Sequence, residues 1–282
     1  MDKSENVKQN PRKVFWKCGT CSQAMFRLLN QEFGNTKPSE EKASDLLAGG
    51  IAQKGFQCGM LWGGALAVGT ESFCRYKNKD EAIVAAVLAS KYLIHSFQER
   101  TGAVNCREIT KTNWEKKSEL VVFMLKTIVQ GFVFSPCFNL IAKWTPEAVQ
   151  QAGLGLSEKM NVNQPCLSCA TEVLKKMGAS DEISVMVAGF AGGIGLSGNA
   201  CGALSAVVWF KMLEWDRKNP TQRPAMLNNP EAKKIFNVFY RQTDSAILCR
   251  QISQRQFATI EEHTEYIQNG GCRKLLDALA AI

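Results

Sequence analysis

Eleven cysteines stand at positions 18, 21, 58, 74, 106, 137, 166, 169, 201, 249 and 272 of this 282-residue chain. Thiols at this density could ligate metal as thiolates, cycle through a disulfide, or fill a core as small apolar groups. Two Cys-x-x-Cys steps occur, Cys18-Gly-Thr-Cys21 and Cys166-Leu-Ser-Cys169. The other cysteines are widely spaced, so any shared site must be assembled from separate elements after folding. That argues against a zinc ribbon, in which two close Cys-x-x-Cys pairs build the site locally. It fits an iron–sulfur cluster held by thiolates in a helical core, and equally a redox dithiol. Only two histidines occur, His95 and His263, so histidine-rich metal sites and proton relays are poor guesses. Ser22 and Ala170 follow the Cys-x-x-Cys steps where a covalent c-type haem requires histidine.

Cys58 and Cys201 each follow a glycine-rich run and precede an apolar one. If the apolar runs are helices, both sulfurs sit at helix N-termini, where the dipole favours negative charge. The glycines Gly50, Gly55, Gly193 and Gly198 are candidates for close backbone approach to a cofactor. Cys106, Cys249 and Cys272 are followed by Arg107, Arg250 and Arg273. A nearby cation would lower a thiol pKa or offset a cluster's charge. Cys74 reads as an ordinary core cysteine, and the six tryptophans (16, 62, 114, 144, 209 and 215) read as core. His95 reads as structural or surface.

The elements that must position these groups come in two sets. Without Cys74, the cysteines divide into two groups of five, and the steps from Cys58 to Cys106 and from Cys201 to Cys249 are both 48 residues. The block Cys106-Arg-Glu-Ile-Thr110 recurs as Cys249-Arg-Gln-Ile-Ser253. The chain therefore reads as a duplication: a polar N-terminal extension over 1–17, a first repeat over 18–142, a linker over 143–165, and a second repeat over 166–282. Cys21, Met25, Leu28 and Leu29 make a helical apolar stripe, and Cys169, Val173, Leu174 and Met177 repeat it. Helical spacing also runs through 80–100, 111–134 and 231–241. Period-two alternation is scarce. The expected fold is all-α, two similar helical repeats packed about a pseudo-twofold axis.

Residues 183–210 carry no charge and are long enough for a membrane span. Five glycines crowd the middle, each costing about 1 kcal/mol in a helix interior, so two buried helices joined by a glycine loop is the better reading. Gly193-Ile-Gly-Leu-Ser-Gly198 also fits the dinucleotide fingerprint, but that motif needs a preceding strand, and the first repeat has Ala52 in place of its middle glycine. Lys plus Arg total 34 against 26 Asp plus Glu, a net charge of +8 that suits an anionic partner or cofactor. The polar N-terminus shows no secretory signal, so the expected location is cytoplasmic, with thiols kept reduced. The expected partners are a redox partner protein and a second copy by self-association, with no nucleic acid and no membrane span.

The cysteine pattern resembles the redox-active protein family named for its C-GCAxxG-C-C signature. The resemblance rests on Cys21 and Cys169 near each repeat start, then Cys58-Gly-Met-Leu-Trp-Gly63 and Cys201-Gly-Ala-Leu-Ser-Ala206, then Cys106-Arg and Cys249-Arg, then Cys137 and Cys272. It covers most of the chain twice, as a fused pair of single-copy members. It implies a helical fold and a redox role. The same domain recurs in split-Soret cytochromes c, where it is associated with an iron–sulfur centre, which implies one cluster per repeat here. By carry-over the metal ligands would be Cys21, Cys58, Cys106 and Cys137 in one copy, and Cys169, Cys201, Cys249 and Cys272 in the other. Ala206 departs from the pattern, and Cys137 and Cys272 differ in spacing, so Cys18 or Cys166 could replace the fourth ligand. A metal-free thiol–disulfide oxidoreductase using the Cys-x-x-Cys pairs, and a zinc-stabilised module without turnover, remain the alternatives.

Overall fold

The computed structural model describes residues 7–129, 135–160, 162 and 165–282. Among these, fifteen α-helices and two isolated antiparallel bridges make up the regular structure, with no strand. The first half contains α1 (Pro11–Cys18), α2 (Cys21–Phe33), α3 (Pro38–Ala43), α4 (Gly59–Arg75), α5 (Lys79–Thr101), α6 (Cys106–Thr110), α7 (Lys117–Val129) and α8 (Pro136–Leu156). The second contains α9 (Cys169–Lys176), α10 (Asp181–Met186), α11 (Gly202–Lys218), α12 (Pro230–Thr243), α13 (Cys249–Ile252), α14 (Ile260–Gln268) and α15 (Arg273–Ala280). A 3-10 turn follows α3 at Ser44–Leu47 and another follows α10 at Ala188–Phe190.

Local chemistry sets the helix limits. The Asn78 side chain accepts from the amides of Asp80 and Glu81 to start α5, and left-handed Gly102 stops it by donating to the Gln98 carbonyl. Thr20 caps α2 and Gly34 ends it in the same way. The stretch 111–134 is shorter as a helix than its apolar spacing suggests: α7 starts at Lys117, and 130–134 lie outside the described residues. The segment 143–165 begins as helix, because α8 runs on to Leu156 with Pro146 inside it. Trp144, fully buried on α8, donates to Ser96 and meets Phe97 edge-on at 4.7 Å. Burial of that face carries the helix past its proline. Trp62 and Trp209 are also fully buried, but Trp16 is 61% exposed on α1 and is not core. The charge-free run 183–210 is a short helix, a 3-10 turn, a glycine loop and the start of α11. No described helix is long and apolar enough to cross a membrane.

The two halves clasp reciprocally. α4 packs on α10 of the second half, and α11, the counterpart of α4, packs on α3, the counterpart of α10. Trp62 on α4 meets Phe190 edge-on at 4.8 Å, while Trp209 on α11 donates to the Glu40 carbonyl at 3.1 Å. Lys42 pairs with Asp216, Lys37 with Glu182 and Lys79 with Asp181 across the same boundary. A Cβ on Gly69 would lie 2.2 Å from the Met186 carbonyl oxygen, so the backbones there are too close for any side chain.

Candidate redox-thiol sites

Eight cysteines hold matched places in the two halves, each at the beginning of a helix. Cys21 and Cys169 open α2 and α9, and Cys58 and Cys201 stand immediately before α4 and α11. Cys106 and Cys249 open the short α6 and α13, and Cys137 and Cys272 sit at the start of α8 and α15. The bridge Gln57–Asn105 ties the second and third of these together in the first half, and Ala200–Leu248 does so in the second. Cys58 N–H donates to Val104 O at 2.8 Å and Cys106 N–H to Phe56 O at 2.6 Å. The counterparts, Cys201 to Ile247 and Cys249 to Asn199, measure 2.9 and 2.6 Å. The equal 48-residue steps thus return the chain to the same two-residue clamp.

The glycine runs form a left-handed turn of the same design in each copy. Gly49, Gly50, Ile51, Ala52, Gln53 and Gly55 all have positive φ, as do Gly192, Gly193, Ile194, Gly195, Leu196 and Gly198, position for position. Non-glycine residues in this region cost roughly 1–2 kcal/mol each, so the surrounding structure must hold them. The turn delivers a donor: the amide of Gly49 hydrogen-bonds to Cys21, and that of Gly192 to Cys169. The glycines expected to approach a cofactor do other work. A Cβ on Gly50 would lie 2.3 Å from Phe56 N, and one on Gly193 2.6 Å from Asn199 O, so these two close the turn. Gly55 lies under the Arg107 side chain, and Gly198 under Gln256 and Arg250. The sulfur-facing pair, Gly49 and Gly192, went unrecognised in the sequence. The fingerprint Gly193–Gly198 follows helix and 3-10 turn rather than a strand, which removes its dinucleotide context.

Within each half the four thiols lie near enough to influence one another. The Cys21 thiol is lowered from its ordinary value by a hydrogen bond from Cys58, and Cys58 is pushed well up by that bond, by burial and by the neighbouring sulfurs of Cys106 and Cys137. Burial raises Cys106, and Cys137 is pushed up to about 12. In the second half burial raises Cys169 and Cys201, with Cys249 and Cys272 adding to both. Cys249 is pushed up to about 12, and Cys272 is raised by burial, with its Sγ 3.7 Å from the Tyr266 hydroxyl. The expectation of arginine-activated thiolates fails on geometry. Arg107 turns away from Cys106 to the Lys54 carbonyl and Glu115, and seven of the eight thiols are raised rather than lowered, burial being the largest cause at six of them.

Cys18 and Cys166 stay outside these quartets. Cys18 lies buried at the end of α1 beside Arg27, Glu41 and Asp45, and Cys166 lies beside Asp80 and Glu261. Cys74 is exposed on α4, not core, with its thiol 3.5 Å from Asn35 Oδ1. His95 is exposed near Glu99. His263 is buried, held near neutral form with a pKa of about 4, and has Nδ1 3.1 Å from the Leu167 carbonyl. Among the described residues, no three His, Cys, Asp or Glu side chains are placed to hold a single metal ion.

The sequence profile of the family described as "Putative redox-active protein (C_GCAxxG_C_C)" matches residues 19–145 and again residues 166–282. The chain belongs to that family, in two copies. Neither a curated protein nor a solved structure matches it. Membership in the C_GCAxxG_C_C family assigns a redox role, and each matched region contains one complete quartet.

Proposed function

We propose that this chain is an electron-transfer protein that holds one iron–sulfur cluster per half. The ligands would be Cys21, Cys58, Cys106 and Cys137 in the first, and Cys169, Cys201, Cys249 and Cys272 in the second. The observation that carries this reading is the convergence, twice over, of four thiols distant in sequence and each at the start of a helix. The donor set suits the cluster chemically: four sulfurs per half, with amide donors from Gly49 and Gly192 already aimed at one of them. The void beside the second quartet is about 20 Å³, close to one water. A bound cluster would supply one-electron chemistry. The protein would contribute buried surroundings and N–H donors, which set its potential.

A second reading has its own support. Cys21 and Cys58 are neighbours, and Cys21 is the quartet thiol that its neighbour holds below the ordinary value. That pair could cycle through a disulfide with Cys21 as the attacking thiolate. Anaerobic purification followed by iron and acid-labile sulfide analysis and EPR separates the two. Iron and sulfide in equal amounts, halved on replacing Cys58 or Cys201 by serine and lost on replacing both, support the cluster. A metal-free protein with a reversible two-electron thiol titration, abolished in Cys21→Ser, supports the dithiol.

A further inference from the structure

The two quartets differ in what lies beside them. The first opens into a cavity of about 510 Å³, whereas the second closes on about 20 Å³. Among the described residues, those lining the larger cavity include no charged side chain. Its walls carry two aromatic pairs: Phe15 stacks on Phe138 at 4.3 Å, and Trp114 leans on Phe123 at 5.0 Å. Cys21, Cys106 and Cys137 also line it. In the second half Tyr266, Phe257 and His263 crowd the corresponding space, and the Tyr266 hydroxyl lies 3.7 Å from Cys272 Sγ.

We propose that the first-half cavity is a binding chamber for an uncharged, ring-bearing small molecule seated against the Cys106–Cys137 side of the quartet, and that the second half lacks such a chamber. The volume lies in the range of small-molecule sites. A charged ligand would lose its hydration against described walls that carry no counter-charge. Flat aromatic faces favour a ring over a flexible chain, because offset and edge-on ring contacts add to simple burial. The chamber stands on geometry alone, so it does not depend on the cluster reading: iron-free protein that still binds a ring refutes only the cluster, and iron-loaded protein that binds none refutes only the chamber.

The test is calorimetric titration of the purified chain with 2-naphthol, an uncharged two-ring probe, alongside the anionic naphthalene-2-sulfonate. One saturable 2-naphthol site is expected, with the sulfonate at least tenfold weaker. Phe123→Ala should weaken 2-naphthol roughly tenfold through lost contact area, while Tyr266→Phe in the other half should leave it unchanged. Bound 2-naphthol should also slow alkylation of Cys137 and not of Cys249. Should Phe123→Ala not fold, Trp16→Ala, on an exposed side chain that lines the chamber, takes its place. Absence of saturable binding, equal binding of the sulfonate, or unchanged affinity in the folded wall variant overturns the proposal.

Discussion

Alkylation of the metal-free, reduced protein reads the burial of the quartets directly. Iodoacetamide attacks by way of the thiolate. At pH 8 a thiol at the ordinary value of 9.0 is about one-tenth ionised, while one pushed up to about 12 is ionised roughly once in 10⁴. Cys137 and Cys249 should therefore label about 10³-fold more slowly than an unperturbed thiol on ionisation grounds alone. Both are only partly buried, so the reagent can reach them and protonation sets the rate. The exposed Cys74, its own thiol raised by partial burial and by Glu71, supplies an accessible comparison within the same molecule and narrows the expected gap. Between pH 8 and 10 the rates at Cys137 and Cys249 should climb about tenfold per pH unit, whereas a thiol of ordinary pKa gains only about tenfold in all. Peptide mapping of alkylated protein by mass spectrometry gives each rate separately. If Cys137 labels as fast as Cys74 at pH 8, or its rate fails to follow pH, the buried-thiol account of the first quartet is wrong. The sign extends to loading: the thiols must shed protons to ligate, so metal uptake should strengthen as pH rises.

Other expectations concern the scaffold. Trp62→Ala should destabilise the chain by about 3–5 kcal/mol in urea unfolding, because it empties a fully buried site at the junction of the halves; a loss below about 1 kcal/mol would contradict that packing. Ala52→Gly should stabilise by about 0.5–1 kcal/mol, since Ala52 has φ of 49° where the second copy has Gly195, and thermal melting would register it. Asp45 is almost fully buried, and its carboxyl is pushed up to about 6 from 3.8, mainly by burial. The folded state thus binds that proton more tightly, so its contribution favours folding at low pH and is lost as pH rises from about 4 to 6. Asp45→Asn, which still accepts from Thr20, should therefore melt higher than the parent at pH 8 and close to it at pH 4; the reverse order would refute the assignment.

The duplication, the helical class and the division of the cysteines were legible because they rest on spacing and periodicity, which survive in one dimension. The glycine loop inside 183–210 was legible for the same reason. The amides facing Cys21 and Cys169 were not. Gly49 and Gly192 belong to left-handed turns that run through Ile51, Gln53 and Leu196, and nothing local marks those side chains for positive φ. Arg107 follows Cys106 in sequence, yet a one-residue step on a helix points it elsewhere, here to Glu115. The helical course of 143–156 was hidden behind Pro146 and two glycines, because tertiary burial of Trp144 and Ala148 overrides local propensity. The chamber was invisible for a related reason: its walls come from α1, α7, α8 and the Met226–Leu227 loop of the other half.

The reciprocal seating of α4 on α10 and of α11 on α3 has a practical corollary. Severing the backbone between α8 and α9 would leave each fragment displaying a raw apolar face whose complement exists only on the other. Two such fragments, co-expressed, should recombine into one particle, and a reporter split at that point would light up only when both quartets stand side by side.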